Sequence, residues 1–495
     1  VRHVHCFFAA LLAALFTLGS SAAPVEDRAA GDGAPVAPAF SFGFETLRLA
    51  EGERLGLVGA TLLFDIDDGV WSAGPAVYGA ASGQRGGFFV GGVQVERVWN
   101  LSRGLSATAG LYAGGGGGAA APVGGGLMLR PSLTLQSDLG RAARLGLSWS
   151  SVRFPSGQIS SRQLGLRLSW SGTFRQMAVD RDAVGGRRAE PTGLGFDRIS
   201  ATVSRYVLRD GRSRRIGLVG ARAEQGSGRD GLSWGLDAAA AAQGDAAGYM
   251  EMLGSLAYGV QPVPAALPSW RVGLRAAVGL GGGGGVPTGG GLIGRAAATT
   301  SLSPWPGTTF GVDLGLLRGD SRLRASVVEA RLGFDLESVA AGSGAPATTA
   351  ATRLDWVASV QHHTREPRSD GSQRALDTIG LAINHYLGEH IYISGQAHSA
   401  FAGGAGALSV GLLGAGVAAA RPPLRVGAEL LVGAAGGGGV ATGGGATTQG
   451  LIWAAWKASP QSDWRVGVGQ RRSLRGATGS PVIELSWSHA FRVAR

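Results

Sequence analysis

The 495-residue chain has one cysteine, Cys6, and one lysine, Lys457. Cys6 lies in a segment, residues 1–22, that reads as a secretory signal peptide. Arg2 is its one cation, Phe7 to Leu18 its apolar stretch and Ser20-Ser21-Ala22 its small-residue cleavage site. Cys6 comes before that apolar stretch, too early for a lipidated cysteine. The expected mature chain therefore has no cysteine, which excludes disulfides, thiol catalysis and cysteine metal sites. No run of 18 strongly apolar residues follows the signal, and the Ala/Gly stretch around 408–420 is the nearest approach, so helices are not expected to span a membrane.

Acidic residues are in the minority, 34 against 45 basic, giving a formal net charge of +11 carried almost wholly by arginine. Those arginines are scattered and form no patch, so nucleic acid is not an expected partner. Signals for catalysis are weak. Asp65, Asp67, Asp68 and Gly69 start like a calcium loop but lack its closing glutamate, and an acidic hairpin tip explains them better. His362, His363 and Glu366 read as a solvated loop, and His385, His390 and His398 lack ligand spacing. Gly83-Gln84-Arg85-Gly86-Gly87 reads as a turn and not a phosphate cradle, since no helix follows it. No catalytic residue, metal site or cofactor is expected.

Glycine, by contrast, is abundant, with 87 residues, and it is periodic. A run and then a triplet recur three times: Gly114 to Gly118 with Gly124 to Gly126, Gly281 to Gly285 with Gly289 to Gly291, and Gly436 to Gly439 with Gly443 to Gly445. The triplets begin at 124, 289 and 443, and Trp270-Arg271-Val272-Gly273-Leu274 before the second run matches Leu424-Arg425-Val426-Gly427-Ala428 before the third. A period this long marks a repeated sheet or domain. The units are 41–172, 197–336 and 353–495, joined by 173–196 and 337–352.

Within the units apolar and polar residues alternate with period two, the mark of a strand with one apolar face. Leu145, Leu147 and Trp149 oppose Arg144, Gly146 and Ser148, and Leu164, Leu166, Leu168 and Trp170 oppose Gln163, Gly165, Arg167 and Ser169. Arginine and glycine in mid-strand on the polar face, with Trp149, Trp170, Trp270 and Trp464 expected at strand ends, favour a membrane barrel over a soluble sandwich. The last segment alternates likewise: Ile483, Leu485, Trp487 and Phe491 against Glu484, Ser486 and Ser488, with Arg492 to Arg495 following the aromatic. It resembles the aromatic-ended C-terminal strand of bacterial outer-membrane β-barrel proteins. That resemblance implies an outer-membrane location, lipid contact and insertion by the outer-membrane assembly machinery.

Unit 1 divides into strands near 41–49, 54–65, 71–80, 88–99, 105–114, 125–136, 143–153 and 162–171. Three such units give an all-β transmembrane antiparallel barrel of about 24 strands, within the known range. One barrel is expected rather than three, because strands in units 2 and 3 are less amphipathic and would close more readily with neighbours, leaving the linkers as loops.

The expected function is an outer-membrane channel or export conduit for a polar, anionic solute or polymer such as a polysaccharide. Its pore-lining candidates are Arg130, Arg144, Arg167, Arg271, Arg275, Arg331, Arg425 and Arg465, which would attract anions unless paired with Glu329, Asp335, Glu429 and Glu484 on the same faces. The glycine hairpins, bounded by Gly114 and Gly118, Gly124 and Gly126, Gly281 and Gly285, Gly289 and Gly291, Gly436 and Gly439, and Gly443 and Gly445, would either let another backbone or a ligand approach and meet as a constriction, or be flexible low-complexity tips. The rival readings are a structural or surface-display barrel whose hairpins bind a partner, and a membrane enzyme acting on lipid.

Overall fold

The computed structural model describes residues 35–494 except 37–38, 50–51, 68–69, 140–142, 172–173, 176–195, 197, 210–213, 227–230, 263–268, 306, 320–322, 336–350, 422, 460 and 477–478. The expected signal peptide and most of both linkers lie outside the described residues.

Among the described residues the architecture is three closed antiparallel barrels of eight strands. Barrel 1 follows a two-residue strand β1 (Pro35–Val36) and runs through β2 (Ala39–Arg48), β3 (Arg54–Asp67), β4 (Trp71–Ser82), β5 (Phe89–Ser102), β6 (Leu105–Gly117), β7 (Met128–Leu139), β8 (Ala143–Arg153) and β9 (Ser160–Ser171). Next β10 (Phe174–Arg175) pairs back with β1. Barrel 2 is β11 (Arg198–Leu208), β12 (Arg215–Gly226), β13 (Leu232–Gln243), β14 (Met250–Val260), β15 (Trp270–Gly282), β16 (Leu292–Trp305), β17 (Thr308–Gly319) and β18 (Arg324–Asp335). Barrel 3 is β19 (Ala351–Pro367), β20 (Gln373–Tyr386), β21 (Ile391–Ala402), β22 (Ser409–Arg421), β23 (Leu424–Gly436), β24 (Ala446–Ser459), β25 (Ser462–Ser473) and β26 (Gly479–Ala494). No helix of the described residues is long and apolar enough to cross a membrane.

The alternation places the strands of unit 1 to within a few residues. Closure is where the expectation of one large barrel is corrected. Each unit's first strand pairs with its own last strand: Phe40 with Trp170 in barrel 1, Thr202 with Arg331 in barrel 2, Ala358 with Trp487 in barrel 3. The reason lies inside. An eight-stranded barrel is just wide enough for side chains to fill, whereas a larger ring leaves an aqueous channel. Inward arginines and carboxylates of each unit pair across that short span, as Arg130 with Glu45, Arg222 with Asp313 and Arg465 with Glu429, which a 24-stranded lumen would forbid.

Outward faces differ by what covers them. On β7, β8 and β9 leucine points out, as with Leu133, 56% exposed, and Leu166, 58% exposed. An arginine at such a position near the bilayer midplane costs roughly 2–4 kcal/mol, and none stands among these leucines. Trp170, Trp270 and Trp464 lie at the barrel end where the chain enters and leaves, together with Trp305 and Trp456, as an aromatic girdle. Trp149 departs from the expectation: it points outward from the middle of β8. The faces of units 2 and 3 that read as weakly amphipathic carry small residues because barrels pack there. The alanine run 238–242 in β13, for example, lies against β23 and β24 of barrel 3.

Candidate functional site

The glycine hairpins hold the three barrels together. Each joins the fifth and sixth strands of its barrel, at the end away from the chain entry, and lies on the turn between the third and fourth strands of another. The hairpin of barrel 2 meets the turn of barrel 1, where the Gly86 N–H donates to Gly289 O at 2.8 Å. The hairpin of barrel 1 meets the turn of barrel 3, where the Gly406 N–H donates to Gly124 O at 3.2 Å. That of barrel 3 meets the turn of barrel 2, with Gly436 against Gly248 and Gly445 against Ala241 O. These are head-to-tail contacts that close into a ring of three, an arrangement usually seen between separate subunits.

Glycine is required at these contacts. A Cβ at Gly126 (φ +96°) would overlap Ala400 O, one at Gly87 (φ +92°) would overlap Gly283 N, and one at Gly436 would overlap Gly248 N. Close approach of a second backbone, one of the two roles expected for the hairpins, is what the geometry shows. They belong to three different barrels, so the expected constriction within one lumen is corrected. The turn expected at Gly83 to Gly87 is the surface that receives the barrel 2 hairpin.

Interior arginines are paired. In barrel 1 the Nε and Nη2 of Arg130 donate to the two oxygens of Glu45, each at 2.9 Å, while Arg167 donates to Glu96 at 2.5 and 2.9 Å. Barrel 2 is built around a hub: Arg222 donates to Asp237 at 3.0 Å, to Asp313 at 3.0 Å and to Glu329. Arg295 reaches Asp237 at 2.6 Å and Glu329 at 3.0 Å, Arg275 bonds Glu224 and Arg331 bonds Asp313. In barrel 3, Arg465 donates to Glu429 at 2.9 Å and Arg425 to Asp355 at 2.9 Å. Six of the eight arginine candidates thus face a barrel interior, and each of the six stands against a carboxylate.

The other two are corrected. Arg144, 46% exposed along its side chain, bonds Asp138 at 3.0 Å beside the start of β8, and Arg271 is exposed at the start of β15. Both point the right way but lie at the rim, where the interior ends. Asp335 also sits at a rim, bonded by Arg198 at 2.6 Å. Sequence reasoning missed the hub. Arg222 alternates with Ala221 and Ala223, whose small side chains carry almost no amphipathic signal.

The three interiors diverge toward the glycine end. Barrel 1 is closed there by Leu47, Leu55, Phe88, Met128 and Phe154, and barrel 2 by Leu208, Ile216, Leu218, Leu317 and Leu323, all buried. Among Glu45, Tyr78 and Arg130 below the barrel 1 seal, the remaining cavity is about 30 Å³, room for one or two waters. In barrel 3 one wall is apolar, with Leu408, Val410 and Leu431, but the facing wall is polar. His363 and Glu366, at 1% and 0% exposure, Gln449 and Arg471 are buried there. Gln449 pairs directly with Arg471 across strands, and Arg471 lies 2.7 Å from Glu366. The solvated loop expected at 362–366 is therefore part of β19, with His363 and Glu366 turned inward. Both ring nitrogens of His363 and both amide atoms of Gln449 have no hydrogen-bond partner within the chain. No group of three potential metal ligands occurs among the described residues.

No family model and no curated protein matches this chain. Solved structures align with it at low similarity. The outer membrane protein OpdK from Pseudomonas aeruginosa is 11% identical with a TM-score of 0.22, covering 92% of this chain and 99% of that one. The FrpB iron transporter from Neisseria meningitidis is 9% identical with a TM-score of 0.27, covering 92% and 81%. The siderophore receptor PirA from Acinetobacter baumannii is 9% identical with a TM-score of 0.29, covering 93% and 81%. At such scores the alignments do not bear on how the barrels are arranged. The assignment of the fold to transmembrane antiparallel β-barrels rests on the closed sheets, the outward leucines and the tryptophan girdle.

Proposed function

We propose that the protein resides in the bacterial outer membrane and acts there as a channel for small polar species, with barrel 3 as the conducting barrel. The observation that carries this reading is the polar wall of barrel 3. It continues from Arg425 and Asp355 near the chain-entry end, through Arg465, Glu429 and Glu484, to His363, Arg471 and Glu366 near the other. Buried polar groups without protein partners are costly unless water reaches them, so this wall favours a hydrated path. An interior of eight strands is largely filled by side chains, so the path proposed along this wall is for water, protons or single small ions and excludes a polymer. The arginines of this wall are paired with carboxylates and supply little net field, so little preference for anions over cations is expected.

Proteoliposomes carrying the protein should leak protons or chloride faster than empty vesicles while retaining oligosaccharides. Gln449→Leu, which replaces one polar member of the wall, should cut the leak several-fold. Flux equal to that of empty vesicles would sink the channel reading. The apolar seals of barrels 1 and 2 favour the alternative in that case, a structural assembly whose interiors only stiffen it. Location is tested separately: fractionated cells should hold the chain in the outer membrane, heat-modifiable on a gel, and recovery as soluble periplasmic protein would overturn the placement.

A further inference from the structure

Barrels 1 and 3 do not touch along their whole height. At the glycine end they meet through the docked hairpin and an apolar cluster of Ala113, Leu127 and Phe401. Toward the girdle the ring of Phe64 stands edge-on to Trp356 with centroids 4.6 Å apart. Between these two contacts lies a cavity of about 290 Å³, walled by β4, β5 and β6 on one side and by β19, β20, β21, β25 and β26 on the other.

We propose that this cavity binds one acyl chain of a membrane lipid. No charged side chain lines it, and its polar lining is confined to three serines, so a polar solute would lose its hydration there without replacement bonds. Two of its lining residues, Leu111 and Leu485, at 40% and 47% exposure, also belong to the outer barrel surface, so the cavity opens toward the hydrocarbon around the barrels. It is continuous with the contact between barrels 1 and 3, and Trp464 and Trp487 line its girdle end. Left unfilled, a space this size would strip its lining of dispersion contacts, and the bilayer supplies chains of matching shape and polarity. Gly91 faces it: a Cβ there would meet nothing within 4 Å, whereas most glycines of β4 to β6 are crowded.

Native mass spectrometry of the full-length protein, extracted from membranes and washed with lipid-free detergent, should show a retained adduct with the mass of one intact phospholipid or lipopolysaccharide molecule, the two being told apart by that mass. Gly91→Trp places an indole at an open lining position of the cavity. Gly411→Trp, at a position on β22 also free of neighbours within 4 Å, is the control for adding an indole to a barrel exterior. The Gly91→Trp protein should remain heat-modifiable and lose the adduct several-fold, while Gly411→Trp keeps it. An adduct retained equally by both variants, or absent from the unaltered protein, would overturn the proposal. The readout does not depend on conduction, so failure of the channel reading leaves it standing.

Discussion

Barrels 1 and 2 differ from barrel 3 in how they end. All three hold arginine–carboxylate networks at mid-height, but the first two are closed toward the glycine end by leucine, isoleucine and phenylalanine, while the third has leucine and valine on one wall and histidine, glutamate, glutamine and arginine on the other at the same level. One scaffold repeated three times thus tolerates both a sealed and a polar interior. The distinction is set by a few inward positions: at the glycine end of its first strand barrel 1 buries Leu47 and barrel 2 Leu208, whereas barrel 3 buries His363 and Glu366.

The comparison is broken most forcefully at the hub of barrel 2. Arg222→Met leaves Asp237, Asp313 and Glu329 sharing one fewer cation in a sealed interior, so barrel 2 should lose roughly 3–5 kcal/mol. Denaturant unfolding followed by gel mobility reads this, and a loss under about 1 kcal/mol would show that water reaches these carboxylates.

A smaller effect is expected at the docking contacts. Gly126→Val puts a branched side chain against Ala400 O and strains a left-handed residue, costing about 1–3 kcal/mol of strain at that contact. With protease sites inserted in 176–195 and 336–350, the cut barrels of the unaltered protein should still migrate together in mild detergent. In the Gly126→Val protein the barrel 1 hairpin should release barrel 3 while each barrel stays closed. Co-migration unchanged by the substitution would mean that the apolar contacts hold the assembly without the hairpins.

Gln449→Leu sharpens the contrast from the other side. Both amide atoms lack a partner in the chain, so its removal should change stability by no more than about 1 kcal/mol while lowering flux. A large destabilisation would show that Gln449 is firmly bonded in solution.

The smallest effect concerns the barrel 1 turn. There the Arg85 guanidinium bonds Glu53 at 2.8 and 2.6 Å, and that hydrogen bond holds the Glu53 carboxyl below its ordinary value near 4.5. A lowered carboxyl value gives stability that is present above pH 4.5 and lost as pH falls through the lowered value. Both groups are partly exposed, so Glu53→Gln should cost less than about 1 kcal/mol at neutral pH and nothing in strong acid. An equal cost at pH 7 and pH 2 would rule out the ionic contribution.

Much of the fold was legible because a strand facing lipid on one side and a filled interior on the other must alternate. Leu164 to Trp170 show it, with every outward residue apolar and large. Closure was not legible, because it depends on which arginine meets which carboxylate, and Arg130 finds Glu45 across 85 positions of chain. The outward alanines of β13 misled for a physical reason: a face that packs on another barrel needs small residues, and these weaken the signal a lipid-facing strand would give. The candidate site was half legible. Direction along the strand identified the inward arginines, but not height, so Arg144 and Arg271 were placed inside when they stand at the rim. His363 and Glu366 were missed because Arg365, Pro367 and Arg368 around them make the segment look like loop.

The order of the docking contacts constrains the sequence of assembly. Barrel 1 reaches forward to barrel 3, barrel 3 back to barrel 2, and barrel 2 back to barrel 1. A chain ending before residue 351 can make one of the three joints and leaves the barrel 1 hairpin without its receiving turn. Barrel 3 therefore supplies two joints at once, so a chain truncated before it is left with an incomplete ring.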